Sequence, residues 1–437
     1  MRIALAILLN AALLAMLLPW LRRQWHWATA NGWRWIFTVG LGLRVGVGLW
    51  RGLTLKFDAA YMTQVGNTVT RLLWDGELYI LVQSITTFPD GHGAMIYQST
   101  SNTWMLIKVL ALLNFLSVSQ GWLNALYLSL FAFIGCWVLS RILAERFLPT
   151  GAGVVAFLLW PSVWFWATGI SKEAALLGSG AWLTARVVER LYPIPNCGEA
   201  KSTSLFWWWL GTLALAYLHF HMRYFFATPL LVVLCSIAFS HWLRRYRLTR
   251  PYRVQVIALA TALGAIAWLA PQVSVAFRMN KFTSQVVRVY AFEVSHTIGR
   301  PHLEYPNLHP TIESIAAHAP LAVVNALTRP WLGETKQTFY LAAGLENAAL
   351  LILFALFGLA AMHGCIGKLP VGLSIGLGLF CLMVAFLIGL TTPNLGSLSR
   401  YRSELLPFLL LLLLQNNYAV KLLKYLRLNR VNMNRLR

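Results

Sequence analysis

Apolar residues occur along this chain in long unbroken blocks, and polar residues gather in the gaps between them. The blocks fall at roughly 3–20, 34–50, 122–140, 150–168, 173–189, 205–219, 224–241, 254–270, 343–362, 371–390 and 403–417. A helix needs about 20 such residues to cross a bilayer, so the pattern predicts an all-α polytopic transmembrane bundle of about eleven spans. The apolar run 103–119 carries Lys108 near its middle. A charge deep in hydrocarbon is costly, so this run is read as a partly inserted helix. After the second block, Tyr61, Val65, Val69, Leu72 and Leu73 recur at helical spacing, which predicts a helix lying in the interface over 59–74. The first block is followed by Trp20-Leu21-Arg22-Arg23 and not by a small-residue cleavage site, so it reads as a retained helix.

Composition narrows the class. The chain is 58% hydrophobic and 11% charged, whereas soluble domains carry about 25% charged residues. A soluble enzyme, a disordered chain and a secreted disulfide scaffold are excluded. The net charge of +22 would point to nucleic acid in a soluble protein, but here its distribution matters more. With 103–119 not crossing, the segments 21–34, 141–149, 186–204, 244–253, 363–370 and 416–437 share one side. They hold 20 of the 36 Lys+Arg and, of the acids, only Glu145, Glu189 and Glu199. The positive-inside tendency makes that side cytoplasmic. The N-terminus is then outside and the C-terminus cytoplasmic, and nucleic acid is not needed as a partner. Cys136, Cys197, Cys235, Cys365 and Cys381 show no metal-site spacing, and no metal or other cofactor is expected.

The chain divides into an extra N-terminal helix and loop (1–33), a membrane module (34–270) with a first outer loop (51–121), a second outer loop (271–342), and C-terminal helices with a basic tail (343–437). The first outer loop holds all three aspartates, Asp58, Asp75 and Asp90; the second holds four of the eleven glutamates. Chemistry is therefore expected on the outer face.

Five clusters there are candidates. Asp58, just after the second span and followed by Tyr61, suits a general base or simply ends a span. Lys172-Glu173, in a turn after Trp160-Pro161-Ser162 and three further aromatics, is either a snorkelling pair or a polar site beside a sugar-stacking platform. His219-Phe220-His221-Met222-Arg223 is a weak metal signal, and Arg223 is better suited to a phosphate. Arg400-Tyr401-Arg402 places two guanidinium groups on the outer side, against the prevailing charge asymmetry. Such groups fork onto phosphate oxygens or anchor in headgroups. Arg329 and Glu334, in Arg329-Pro330-Trp331-Leu332-Gly333-Glu334, are catalytic or form a structural clasp. Neither a phosphate-cradling glycine loop, a dinucleotide fingerprint, nor Gly-x-Ser-x-Gly is present.

The order of these features resembles the GT-C glycosyltransferase superfamily. Leu43-Arg44-Val45 leads to Asp58-x-x-Tyr61; then come the run 103–119, the span 122–140, Arg141 to Arg146, Trp160-Pro161-Ser162 and Glu173. The likeness covers 34–190 and extends elsewhere only in layout, and the Asp-Glu pair common in the first loop of many relatives is missing. The resemblance implies transfer of a sugar from a polyprenyl-phosphate donor to a glycan, lipid or protein acceptor at the outer face. Asp58 would deprotonate or orient the acceptor, with Glu173 in reserve. Lys172, Arg223, Arg400 and Arg402 would stabilise the leaving phosphate. Tyr61, Arg329 and Glu334 would contact substrate. The alternatives are a transporter or flippase for a lipid-linked sugar, and a non-catalytic assembly subunit for envelope polysaccharide.

Overall fold

A computed structural model describes residues 1–83, 85–89, 94–98, 101–147, 151–194, 205–243, 251–273, 278–297, 299–367 and 369–428. Asp90, Cys197 and the last nine tail residues lie outside the described set.

The chain begins with α1 (Arg2–Ala30), α2 (Arg34–Leu53) and α3 (Phe57–Trp74). A hairpin of β1 (Ile85–Pro89) and β2 (Ala94–Gln98) follows, antiparallel, with Thr87 opposite Ile96. Next come α4 (Asn102–Ser117), α5 (Gly121–Arg146), the short α6 (Gly151–Val154) and α7 (Pro161–Trp166), then α8 (Lys172–Leu191), α9 (Leu205–Met222), α10 (Tyr224–Leu243) and α11 (Pro251–Val273). The segment 271–342 contains α12 (Met279–Ser295) and α13 (Ile312–Thr328). The chain closes with α14 (Thr338–Met362), α15 (Val371–Thr391), α16 (Leu395–Arg402), α17 (Leu406–Leu413) and α18 (Asn417–Tyr425).

Six of these helices, α1, α2, α5, α10, α14 and α15, are long and apolar enough to cross a membrane; α17 and α18 form a seventh candidate bent by 98°. Several expected blocks fall short for identifiable reasons. The block 150–168 is not one helix. α6 runs into a π-helical turn over Val155–Leu159 and stops at Trp160, where Pro161 lacks the N–H to continue the ladder. The block 403–417 is likewise broken, since α17 has 8 residues before the chain turns into α18. α8 carries Lys172, Glu173, Arg186, Glu189 and Arg190, too many charges for a simple span. The ambiguous run becomes α4, whose 16 residues are too short for a perpendicular crossing. The helix expected over 59–74 is α3, and the hairpin is an addition to the expected all-helical architecture.

Packing sets where the site can form. Between helices in lipid, association relies on close van der Waals contact more than on the hydrophobic effect, and small residues permit it. α5 and α8 meet at Gly135 and Gly178, where a Cβ on Gly135 would run into the Gly178 carbonyl and one on Gly178 would lie 2.9 Å from the Ala132 Cα. α3 is fixed to α4 and α5 by a buried amide network. Asn114 Nδ2 donates to Asn67 Oδ1 at 3.0 Å and Thr70 Oγ1 at 2.8 Å, and Asn124 Nδ2 donates to Asn114 Oδ1 at 2.6 Å. The segment between α12 and α13 is tied to the start of α16 by Leu303 N–H donating to the Pro393 carbonyl at 2.9 Å. These three attachments bring the first turns of α3 and α8 and the end of α16 together.

Candidate functional site

Glu173 is the centre of the site. It occupies the first turn of α8, a helix capped by Ser171, whose hydroxyl accepts from Ala174 N–H at 3.1 Å. The preceding turn needs Gly169, which sits at φ +77° with its Cα against the Arg51 side chain. Arg51 fastens that turn from α2, donating to the carbonyls of Phe165 at 3.0 Å and Thr168 at 2.8 Å. An anion in the first turn of a helix is stabilised by the free N–H groups there. The Glu173 side chain is nonetheless fully buried, which requires compensation by charge.

Two arginines provide it. Arg400 grips the carboxylate in a fork, with Nε 2.9 Å from Oε1 and Nη2 3.0 Å from Oε2. Arg223, at the break between α9 and α10, donates from Nη2 to Oε1 at 2.7 Å. Its guanidinium also lies 4.0 Å from the Tyr401 ring centroid, a cation–π contact. Burial lowers the pKa of both arginines, but their neighbours together outweigh it and hold both above the usual arginine value: Glu173, Glu404 and Tyr401 for Arg223, and Glu173, Tyr401 and Asp58 for Arg400.

The remaining groups line the edge of this clamp. Asp58 stands in the first turn of α3, directly after Phe57 at φ +50°. Its carboxylate is 77% exposed and lies 3.9 Å from Arg400 Nη1. Lys172 donates from Nζ to Thr103 Oγ1 at 2.7 Å and Asn102 Oδ1 at 3.2 Å, at the start of α4. Burial, reinforced by Arg223 and Arg400, pushes its ammonium down to about 8.

The sequence-predicted residues therefore sort into three groups. Asp58, Lys172, Glu173, Arg223 and Arg400 converge. Arg402, Arg329 and Glu334 form a separate cluster: Arg402 donates to the Arg329 carbonyl at 3.0 Å and to Asn347 Oδ1 at 2.5 Å. Arg329 pairs with Glu334, which also accepts from Trp331 N–H at 2.8 Å. Tyr61 lies one turn along α3 from Asp58, its hydroxyl 3.0 Å from that of Tyr97. Among the described residues no three of His, Cys, Asp and Glu gather to hold a metal ion.

Sequence reading missed five residues. Arg51 and Asn102 were not singled out, and Thr103 was read only as the start of the apolar run 103–119. Glu346 accepts from the Ser162 N–H at 3.2 Å and from the Ser162 hydroxyl, which steadies α7. Glu404 lies with one carboxylate oxygen 3.6 Å from Arg223 Nη1 and is buried. A glutamate at the edge of an apolar block was the available signal for both acids.

The sequence matches no protein-family model, and neither a curated protein nor a solved structure matches it significantly.

Proposed function

We propose that this chain is a membrane glycosyltransferase of the GT-C type, moving a sugar from a polyprenyl-phosphate-linked donor to an acceptor at the outer face of a bacterial plasma membrane. In this reading the helices shorter or more polar than a simple span, α8, α9 and α11 with the broken blocks α6–α7 and α17–α18, complete the eleven crossings. The observation that carries the reading is the clamp itself. Two guanidinium groups grip the buried Glu173 carboxylate, with the exposed Asp58 at their rim, and the Lys172 ammonium beside it is held by Asn102 and Thr103.

The roles follow from chemistry. Glu173 has both oxygens engaged by guanidinium donors, which makes it a poor base; it is assigned as the anchor that orients Arg400 and Arg223. The remaining N–H groups of Arg400, which is 26% exposed, face the rim. There they can bind phosphate oxygens and stabilise the charge that grows as the sugar–phosphate bond breaks. Lys172 adds an ammonium. Asp58 is the one carboxylate of the cluster open to solvent, and it accepts the acceptor hydroxyl proton. The proton passes from hydroxyl to Asp58, the acceptor oxygen bonds to the sugar carbon, and the phosphate departs with the electron pair of the broken bond.

Asp58→Asn tests this. Outer-face glycan modification is expected to disappear while membrane abundance of the protein and its binding of polyprenyl phosphate in nanodiscs persist. Normal glycan from that variant would remove Asp58 from the mechanism. Equal binding of polyprenol and polyprenyl phosphate by the wild type would remove the phosphate role.

A further inference from the structure

Beside Arg223 the bundle encloses a small cavity lined by Leu176, Gly180, His219, Phe226, Glu404 and Phe408, among others, with about 10 Å³ open to the centre of a water molecule. Its wall is almost wholly apolar apart from two groups, and both are unsatisfied. Neither oxygen of Glu404 has a hydrogen-bond partner among the described residues, nor has Nε2 of His219. Glu404 is 5% exposed and His219 is 4% exposed. Buried polar atoms of this kind in native proteins are almost always paired, if need be through an ordered water.

The hydrogen-bond roles can be assigned from the far side of the ring. His219 Nδ1 lies 3.0 Å from Ser179 Oγ and 3.2 Å from the Leu176 carbonyl. The carbonyl only accepts, and the Ser179 hydroxyl directs its own hydrogen to the Ala175 carbonyl at 2.7 Å. Nδ1 therefore carries the ring hydrogen, and Nε2 of the neutral ring presents a lone pair. Gly180 lets the ring in: a Cβ there would lie 2.8 Å from His219 Cε1. The cavity thus needs an occupant that donates to Nε2, hydrogen-bonds to a carboxyl group, and has the size of one water. A cavity of about this volume meets the minimum for one water molecule.

We propose that this cavity is a binding site for a single water molecule, which donates a hydrogen to His219 Nε2 and is hydrogen-bonded to the Glu404 carboxyl group. The water ties α9 to the junction of α16 and α17 on the side of Arg223 that Glu173 does not occupy. It also links two buried titratable groups through one exchangeable molecule.

Two measurements on the full chain in lipid nanodiscs test the site. An experimental map that resolves waters is expected to show one peak within hydrogen-bond distance of both His219 Nε2 and Glu404. An empty cavity, or a direct His219–Glu404 contact that closes it, overturns the proposal. Solid-state magnetic resonance with isotope-labelled histidine is expected to show His219 with its hydrogen on Nδ1 and an Nε2 signal that receives magnetisation from water protons. That transfer disappears in Glu404→Leu and in Gly180→Ala. A ring hydrogen on Nε2, or no transfer from water in the wild type, overturns it. Neither measurement involves a glycosyl donor, so failure here is distinct from failure of the transferase reading.

Discussion

Arg400 and Arg402 are two residues apart on α16, yet they enter opposite kinds of environment. Arg400 reaches a buried carboxylate, lies near an exposed one and keeps 26% of its side chain open. Arg402 is buried, and its guanidinium goes to a backbone carbonyl and an amide oxygen. The first cluster is rich in charge and open on one side, which suits a visiting anion. Arg402 itself is closed off and neutral in its hydrogen-bond partners, which suits a joint between α14, α16 and the turn after α13. Charge alone therefore does not mark a site; unfinished valence at a solvent edge does.

The comparison can be broken most forcefully at Glu173. Glu173→Gln leaves the buried Arg223 and the partly buried Arg400 facing a neutral amide, and removing one partner of a buried ion pair costs about 3–5 kcal/mol. Thermal unfolding in detergent is expected to show a loss of that order; an unchanged transition would mean that the clamp holds nothing together. Arg402→Met is next. It strands Asn347 and the Arg329 carbonyl, worth about 1–3 kcal/mol of stability, yet it is expected to leave polyprenyl phosphate binding in the surviving protein intact. Loss of binding there would merge the two clusters into one site.

Arg400→Lys sharpens the contrast from the other side. The charge remains but the two-pronged grip on Glu173 is lost. Polyprenyl phosphate binding is expected to weaken about tenfold, a change of roughly 1.4 kcal/mol, with a smaller effect on unfolding. Equal affinity in the variant would show that only net charge matters.

Lys172 gives a pH test with two opposite signs. Its folded-state value of about 8 lies below the ordinary 10.5. Anion binding by the ammonium is therefore expected to fall as pH rises through about 8. Stability moves the other way: between these two values the unfolded chain holds more protons than the folded one, so the Lys172 contribution to stability rises with pH. Lys172→Arg, which stays protonated throughout, should remove the alkaline decline in binding. A decline that survives in this variant assigns the titration elsewhere. The smallest effect is expected from Arg329→Gln combined with Glu334→Gln. Partly exposed pairs contribute about 1 kcal/mol or less, and phosphate binding should not change.

The residues that sequence reading identified share a property: each is polar in a setting where the surrounding pattern is apolar or aromatic. Lys172-Glu173 and Arg400-Tyr401-Arg402 stand out in this way, and both reached the same cluster. Arg402 lies outside that cluster because residues two apart on a helix face in different directions. Sequence shows their proximity and not their azimuth. The break at Trp160-Pro161 was visible as a proline within an apolar block, but hydropathy averages over it. Glu404 was hidden because its importance depends on Arg223, some 180 residues away. Arg51 was hidden because its partners are backbone carbonyls, which leave no trace in composition.

The seam between α5 and α8 has a consequence for how this protein can change. Where Gly135 faces Gly178, main chain meets main chain, so the distance from α5 to the helix bearing Glu173 is set by backbone thickness. Substitution there adds at least a methyl group, and no series of gradual adjustments exists between glycine and that step. The position of the acid relative to α5 is thereby fixed by main-chain contact, and residues at the rim, such as those around Asp58 and Tyr61, can be exchanged without moving the anchor beneath them.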